Sequence, residues 1–243
     1  MIQGSPWLPC FEEKDMDLNI IYEDKSVIVV QKPQQVPSQA DKTGDKDMIT
    51  LLTEYLVTKQ IKKPYVGIIQ RLDRPVGGIM VFTKTKRDTS ILSKQLEDKK
   101  IKKHYLAVVC GVPTQKHEKL VNLLWKNERL NMSKVVCKGT NNAKEAILEY
   151  DVLETINDEE FGELSLIRID LQTGRHHQIR VQLSHAGFPV WGDTKYNQIF
   201  LKGKTWSQIA LWAEDLSFDH PFTGERCHYK LKPKEYPFSS FEF

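Results

Sequence analysis

Asp73 stands in the stretch IIQRLDRPVGG (residues 68–78), between Arg71 and Arg74 and just ahead of Gly77 and Gly78. An acid so placed is compatible with a simple ion pair in a tight loop. The two glycines widen the possibilities, because they allow close backbone approach or positive φ, and loops of this kind often carry reactive groups. A second constellation is LQTGRHHQIRVQLSHAG (residues 171–187). Its spacing predicts a helix opened by Gly174 and closed by Gly187. There Arg180 stacks with His176 and Ser184, while Ile179 and Leu183 enter the core. His176, His177 and His185 match neither H-E-x-x-H nor a Cys/His zinc spacing, so no metal is expected. Tyr105, mid-strand in KKHYLAVVCGVP, fits either a core aromatic or a site residue.

Charge adds a second layer. The formal net charge is only +3, but basic residues gather in KTKR (84–87), KKIKKH (99–104) and GRHHQIR (174–180), while acids gather elsewhere, as in NDEEFGE. Any one clump reads as well as a solvated face. Three clumps flanking the same candidate residues favour a polyanionic partner such as nucleic acid. Apolar residues at 40% and charged residues at 28% suit a soluble globular chain, and no apolar run approaches the roughly 18 residues of a membrane span. The first residues lack the basic and apolar regions of a secretory signal. Cys10, Cys110, Cys137 and Cys227 are far apart with no C-x-x-C, which favours free thiols and a cytoplasmic location.

Several elements must position these residues. LNIIYEDKSVIVVQKP predicts two strands around a Glu-Asp-Lys-Ser turn, and DMITLLTEYLVTKQ a helix with Leu51, Leu52, Tyr55 and Leu56 on one side. GGIMVFTKT reads as a strand leaving the Asp73 loop, KRDTSILSKQLEDKK as an amphipathic helix, and KKHYLAVVCGVP as a strand. AKEAILEYDVLETI and GELSLIRIDLQTG read as strands joined by an acidic turn. IALWAEDLSFDHPFTGERCHYKLK closes as a hairpin. The pattern predicts an α+β fold with a mixed, mostly antiparallel sheet. No dinucleotide or P-loop glycine motif occurs. Residues 1–17 are expected to form a polar leader and 18–243 one domain.

YEDKSVIVVQKPQQVPS, QRLDRPVGGIMVFTKT, KKHYLAVVCG, LQTGRHHQIRVQLSHAGFPVWGDTKY and LWAEDLSFDHPFTGE occur in the order seen in RluA-type RNA pseudouridine synthases. The chain resembles that family from about Ile20 to about Lys232. The resemblance implies a catalytic domain with its active site in a cleft across the sheet, without the RNA-binding domain that often precedes it. Asp73 falls on the family's catalytic aspartate, Tyr105 on its active-site tyrosine and Arg180 on the arginine paired with that aspartate. Arg71 matches a position set against RNA around the flipped nucleotide. Lys103, Arg74, Arg175 and His177 are expected to add RNA contacts. The chain departs from the family pattern at Gln70 and Gln182, where histidine is usual, and at Val76-Gly77-Gly78, where Thr-Ser-Gly is usual.

The implied reaction isomerises uridine to pseudouridine, exchanging a C–N glycosidic bond for a C–C bond with no net redox change and no net water. No cofactor is then needed. Glycosidases commonly use two carboxylates; uracil leaves as a stabilised anion, so one suffices, and no second acid recurs beside Asp73. Asp73 would act as nucleophile toward the sugar or as the base that starts glycal formation. Tyr105 would stack on the base and could take the proton lost late. The expected partner is an rRNA or tRNA stem-loop whose uridine is flipped out, and the protein is expected to act as a monomer. The competing expectation is a catalytically silent RNA-binding protein on the same fold.

Overall fold

Alternating apolar residues build an extended sheet in the computed structural model, which describes residues 18–202 and 207–243. The expected leader, residues 1–17, lies outside the described residues. The strands are β1 (Ile20–Glu23), β2 (Val27–Lys32), β3 (Gly67–Ile68), β4 (Gly77–Thr83), β5 (Lys102–Cys110), β6 (His117–Asn127), β7 (Met132–Val136), β8 (Lys144–Asp158), β9 (Gly162–Leu171), β10 (Leu211–Asp219) and β11 (Arg226–Lys230). Between them lie α1 (Met48–Thr58), α2 (Lys86–Glu97), α3 (Gln178–His185) and the short α4 (Gln198–Leu201). The strand order is β1-β2-β4-β10-β5-β9-β8-β6-β7, with β11 on β10 and β3 on β4. Every pairing is antiparallel except β4 with β10. The architecture is the α+β class with a mixed, mostly antiparallel sheet that the residue pattern predicts.

The two faces of the sheet have separate cores. Ile28 and Val30 of β2, and Tyr105, Ala107 and Val109 of β5, pack with Leu52 of α1 and Ile179 and Leu183 of α3. On the other face, Val27 and Val29 meet Leu92 of α2. A strand covered on both faces needs a continuous apolar run, and VIVV supplies one. Helix starts follow local chemistry. Asp47 caps α1 by accepting from Thr50 N at 2.7 Å, and Thr85 caps α2 through Asp88 N at 3.1 Å.

Two expectations need correction. The helix of the second constellation starts at Gln178, not Gly174; His177 precedes it with φ 53°, ψ 27°. His176 is therefore not a helical neighbour of Arg180. The β6–β7 hairpin was not anticipated at all. Its β6 segment, HEKLVNLLWKN, breaks the two-residue alternation, and only Leu124 in it is buried. Among the described residues, Cys110, Cys137 and Cys227 are free, and no helix is long and apolar enough to cross a membrane.

Candidate active site

The Asp73 loop joins β3 to β4, and its shape depends on its anchors. Ser38 Oγ donates to Leu72 O at 2.8 Å and accepts from Leu72 N at 3.0 Å. Lys32, with no exposed surface, donates to Pro33 O at 2.8 Å and to Arg74 O at 3.1 Å. At the far end of the loop, Gly77 and Gly78 run beside Trp212 and Ala213 in the parallel β4–β10 contact. Gly78 has φ +123°, and a Cβ there would lie 2.3 Å from Ala213 O. Only glycine permits that approach, so the Gly-Gly pair serves to seat β4 against β10.

Arg71 and Arg74 do not pair with Asp73. Arg71 is exposed and makes no hydrogen bond or ion pair among the described residues. Arg74 turns to the 35–45 segment, donating to Gln35 O at 3.0 Å and Thr43 Oγ1 at 2.9 Å and pairing with Asp45. The partner of Asp73 comes from 107 residues away: Arg180 Nη1 donates to Asp73 Oδ2 at 3.1 Å.

Arg180 is 3% exposed and is held chiefly by another acid. Its Nε and Nη2 donate to Asp193 Oδ2 and Oδ1 at 2.8 and 2.7 Å, a bidentate pair. Burial works against the charged guanidinium, but the hydrogen bonds and charges of Asp193 and Asp73 outweigh it and hold its pKa above the ordinary value. Asp193 Oδ1 also accepts from the backbone N–H groups of Lys195 and Tyr196, at 2.8 and 3.2 Å. A second acid thus stands behind Arg180, one residue removed from Asp73. It is buried against Arg180 and absent from the cleft-facing role a glycosidase pair requires. It was missed because GDTKY is remote in sequence; a buried arginine's need for a full set of acceptors was the available signal.

Tyr105 is buried on β5 between Ala213 and Ile169. Burial, followed by the charge of Asp73, raises the phenol's pKa, so it rests protonated. Lys103, two residues earlier, shares its face; burial lowers its pKa and Asp170 partly opposes the shift. His177 is 8% exposed, with Nδ1 2.7 Å from Tyr196 Oη and Nε2 3.8 Å from Asp73 Oδ2. Arg175 is exposed, and its Nε donates to Glu145 O at 2.8 Å. All eight expected site residues line one cleft of about 1620 Å³. The β6–β7 hairpin supplies its far wall through Leu124, Trp125, Lys126, Asn131 and Ser133.

Of the departures from the family pattern, Gln70 is buried and lines the cleft. Gln182 points elsewhere, donating to Asn122 Oδ1 at 2.7 Å and to the carbonyls of Leu120 and Ala146. It ties α3 to β6 and β8.

A cleft that brings Arg71, Lys103, Arg175 and Arg180 around the half-open carboxylate of Asp73 and a buried aromatic suits chemistry on a nucleotide lifted from its stack. Comparison with known proteins agrees. The family described as RNA pseudouridylate synthase matches residues 26–185. An RNA pseudouridine synthase of Bacillus subtilis (strain 168) is 32% identical over 220 residues, covering 88% of this chain and 69% of the relative. The ribosomal large subunit pseudouridine synthase D of Pseudomonas aeruginosa is 33% identical over 233 residues, covering 89% and 68%. Human RNA pseudouridylate synthase domain containing 1 shares the fold, with a TM-score of 0.75 at 21% identity, over 98% of this chain and 88% of that one. The chain belongs to the RNA pseudouridylate synthase family, in its RluA-type branch. It is an isomerase that converts uridine in RNA to pseudouridine.

Proposed function

We propose that the protein modifies a uridine of large-subunit ribosomal RNA in the cytoplasm, acting as a monomer, with Asp73 as its reactive group. The names of its relatives in Vibrio cholerae and Pseudomonas aeruginosa support the ribosomal target. The observation that carries the role of Asp73 is the distribution of contacts on its carboxylate. Arg180 holds Oδ2, and no protein hydrogen bond falls on Oδ1 among the described residues. The side chain is 28% exposed, toward the cleft. Oδ1 is then the oxygen offered to the sugar of a flipped uridine, as nucleophile at C1′ or as base at C2′. Tyr105 stacks on the base. Its hydroxyl, protonated at rest, can serve the late loss of the C5 proton only by passing on its own proton as it receives one.

Arg71, Lys103 and Arg175 face RNA phosphate and the gap left by the flipped base. Arg74 acts on RNA indirectly, by ordering the 35–45 segment of the cleft wall. His177 is too buried to serve mainly as a phosphate contact and belongs with the support of Asp73.

Asp73→Asn tests the core of the assignment. Tritium release from 5-labelled uridine in RNA should fall to background, while filter binding stays close to wild type and weakens as salt rises. Appreciable turnover by the Asn variant refutes the role of Asp73. Mapping pseudouridine in total RNA with and without the protein tests the ribosomal target, and a changed site outside large-subunit RNA alone rejects it.

A further inference from the structure

His177 has a backbone conformation, a burial and a hydrogen-bond environment that an RNA-contacting surface histidine does not need. Its φ of 53° lies in the left-handed region, uncommon for a non-glycine residue. It occupies the N-cap of α3 yet makes no side-chain capping bond. That frame turns the imidazole inward, toward the Asp73–Arg180 pair. Residues held in such conformations concentrate where geometry serves function.

The surrounding network favours one tautomer of the ring. Tyr196 Oη accepts from Ser133 N at 2.8 Å and lies 2.7 Å from His177 Nδ1. Nδ1 is the one acceptor that the phenol's own O–H meets among the described residues, so the O–H is directed toward Nδ1. The hydrogen of the imidazole then sits on Nε2, which faces Asp73 Oδ2 at 3.8 Å. The opposite tautomer would set the Nε2 lone pair against a carboxylate oxygen. The ring plane is held from one side by His176, stacked at 3.7 Å between centroids and 25° between planes. His176 is itself anchored, with Nδ1 2.9 Å from Ser133 Oγ and Nε2 3.0 Å from Asn131 Oδ1. Tyr196 meets the imidazole in a T-shaped contact, and the Arg180 guanidinium lies 5.2 Å from the Tyr196 ring centroid.

We propose that His177 is a positioning residue for Asp73. As the neutral Nε2–H tautomer set by Tyr196, it joins Arg180 in restraining Oδ2 so that Oδ1 alone meets the sugar. The inference rests on the role assigned to Asp73 above. Nε2 is about 0.8 Å short of a direct hydrogen bond, and the proposed role requires the carboxylate to close that gap in the RNA complex. A neutral donor suits this place. Burial first, then the charges of Arg180, His176 and Lys195, push the imidazole pKa down to about 2. His177 therefore orients the carboxylate without adding a second full charge to neutralise it. Burial raises the Tyr196 phenol, outweighing the opposing Ser133 N–H, which keeps its hydrogen available for Nδ1.

Three variants separate this role from RNA contact and from simple support of the fold. Tyr196→Phe removes the hydroxyl that sets the tautomer and keeps the ring beneath Arg180. His177→Asn tolerates the left-handed backbone and places an amide near the Nδ1 position only. His177→Gln places an amide N–H near the Nε2 position. Near-UV circular dichroism selects folded variants, and single-turnover rates are taken at saturating RNA. His177→Asn should slow the chemical step roughly 10- to 150-fold, the effect of one hydrogen bond to a charged group. His177→Gln should recover part of that loss, and Tyr196→Phe should fall between Asn and wild type. RNA affinity should change less than about two-fold. Independently of activity, 15N spectra of the wild type should show a neutral Nε2–H imidazole, mixed with the other tautomer in Tyr196→Phe. An Nδ1–H tautomer in the wild type overturns the proposal. So does a loss of RNA affinity with the saturated rate unchanged, or a Gln variant no faster than Asn. If the wild type shows no turnover at all, the role of Asp73 fails while the tautomer measurement still stands.

Discussion

Replacing Asp193 by alanine isolates the least visible part of the site. Arg180 is 3% exposed and makes three hydrogen bonds to carboxylates, two to Asp193 and one to Asp73. Asp193→Ala leaves a buried guanidinium with a single partner and also frees the Lys195 and Tyr196 N–H groups. Removing one member of a buried pair costs about 3–5 kcal/mol. For a chain of this size each kcal/mol lowers Tm by about 2–4 °C, so the melting point should fall by roughly 6–20 °C. Catalysis should fall as well, because a displacement of about 1 Å near the reacting atoms can cost about 100-fold. The double variant Arg180→Met/Asp193→Leu separates the two effects. Apolar replacement of both members of a buried pair is often neutral or stabilising, so it should regain most of the lost Tm while remaining inactive. Thermal unfolding by circular dichroism and single-turnover tritium release provide the two readouts. A double variant as unstable as Asp193→Ala would assign the loss to the freed backbone N–H groups rather than to the stranded charge. An Asp193→Ala protein that melts within about 2 °C of wild type, or turns over normally, refutes the anchoring of Arg180 altogether.

The remaining predictions concern the loop, the sheet and the chemistry. Burial lowers Lys32 from 10.5 to about 7, partly opposed by Asp73. The unfolded chain therefore binds more protons between about pH 7 and pH 10.5. Stability should rise with pH across that window, with the burial penalty fully felt below it, and urea titrations of Lys32→Met should lose this slope. Gly78→Ala would place a Cβ 2.3 Å from Ala213 O at φ +123°, so it should lose more than about 2 kcal/mol and loosen the β4–β10 contact. Gly139→Ala, at φ +96° with nothing within 4 Å of the added carbon, should lose about 1 kcal/mol, and equal losses would show that backbone conformation alone matters. Activity should survive exhaustive chelation, because the isomerisation needs no metal-activated water; a loss restored by one particular metal refutes this and makes His176 and His177 the first residues to examine.

Much of the framework was legible because it depends on local patterns. VIVVQK and KKHYLAVVC read as strands, and the helices α1 and α2 were legible from their apolar spacing. The α3 boundary was not legible, since the left-handed turn at His177 has no glycine to signal it. The β6–β7 hairpin was hidden by its half-exposed, irregular alternation, although it forms a wall of the cleft. At the site, Asp73, Tyr105 and Arg180 stood out through the resemblance of their motifs, which also implied the pairing of Arg180 with Asp73. Local spacing suggested Arg71 and Arg74 as the companions of Asp73, and the fold supplied Arg180 from a distant helix. Asp193 and Tyr196 lay in a quoted motif without assigned roles, because a supporting contact has no signature until the chain is folded.

That supporting layer explains how one arginine can hold a carboxylate without disabling it. An arginine devoted wholly to Asp73 would neutralise it and engage both oxygens in a forked pair. Here the fork belongs to Asp193, and Asp73 receives only the remaining Nη1 donor on Oδ2. The guanidinium's charge is thus shared between two acids, one fully buried and one open to the cleft. Buried Lys32 adds a second positive influence, but its hydrogen bonds go to the carbonyls of Pro33 and Arg74, not to the carboxylate. Asp73 is consequently fixed in position through one oxygen and the backbone of its loop, and it retains the other oxygen and much of its charge. The role proposed for Asp73 needs both properties at once, and dividing Arg180 between Asp193 and Asp73 provides them.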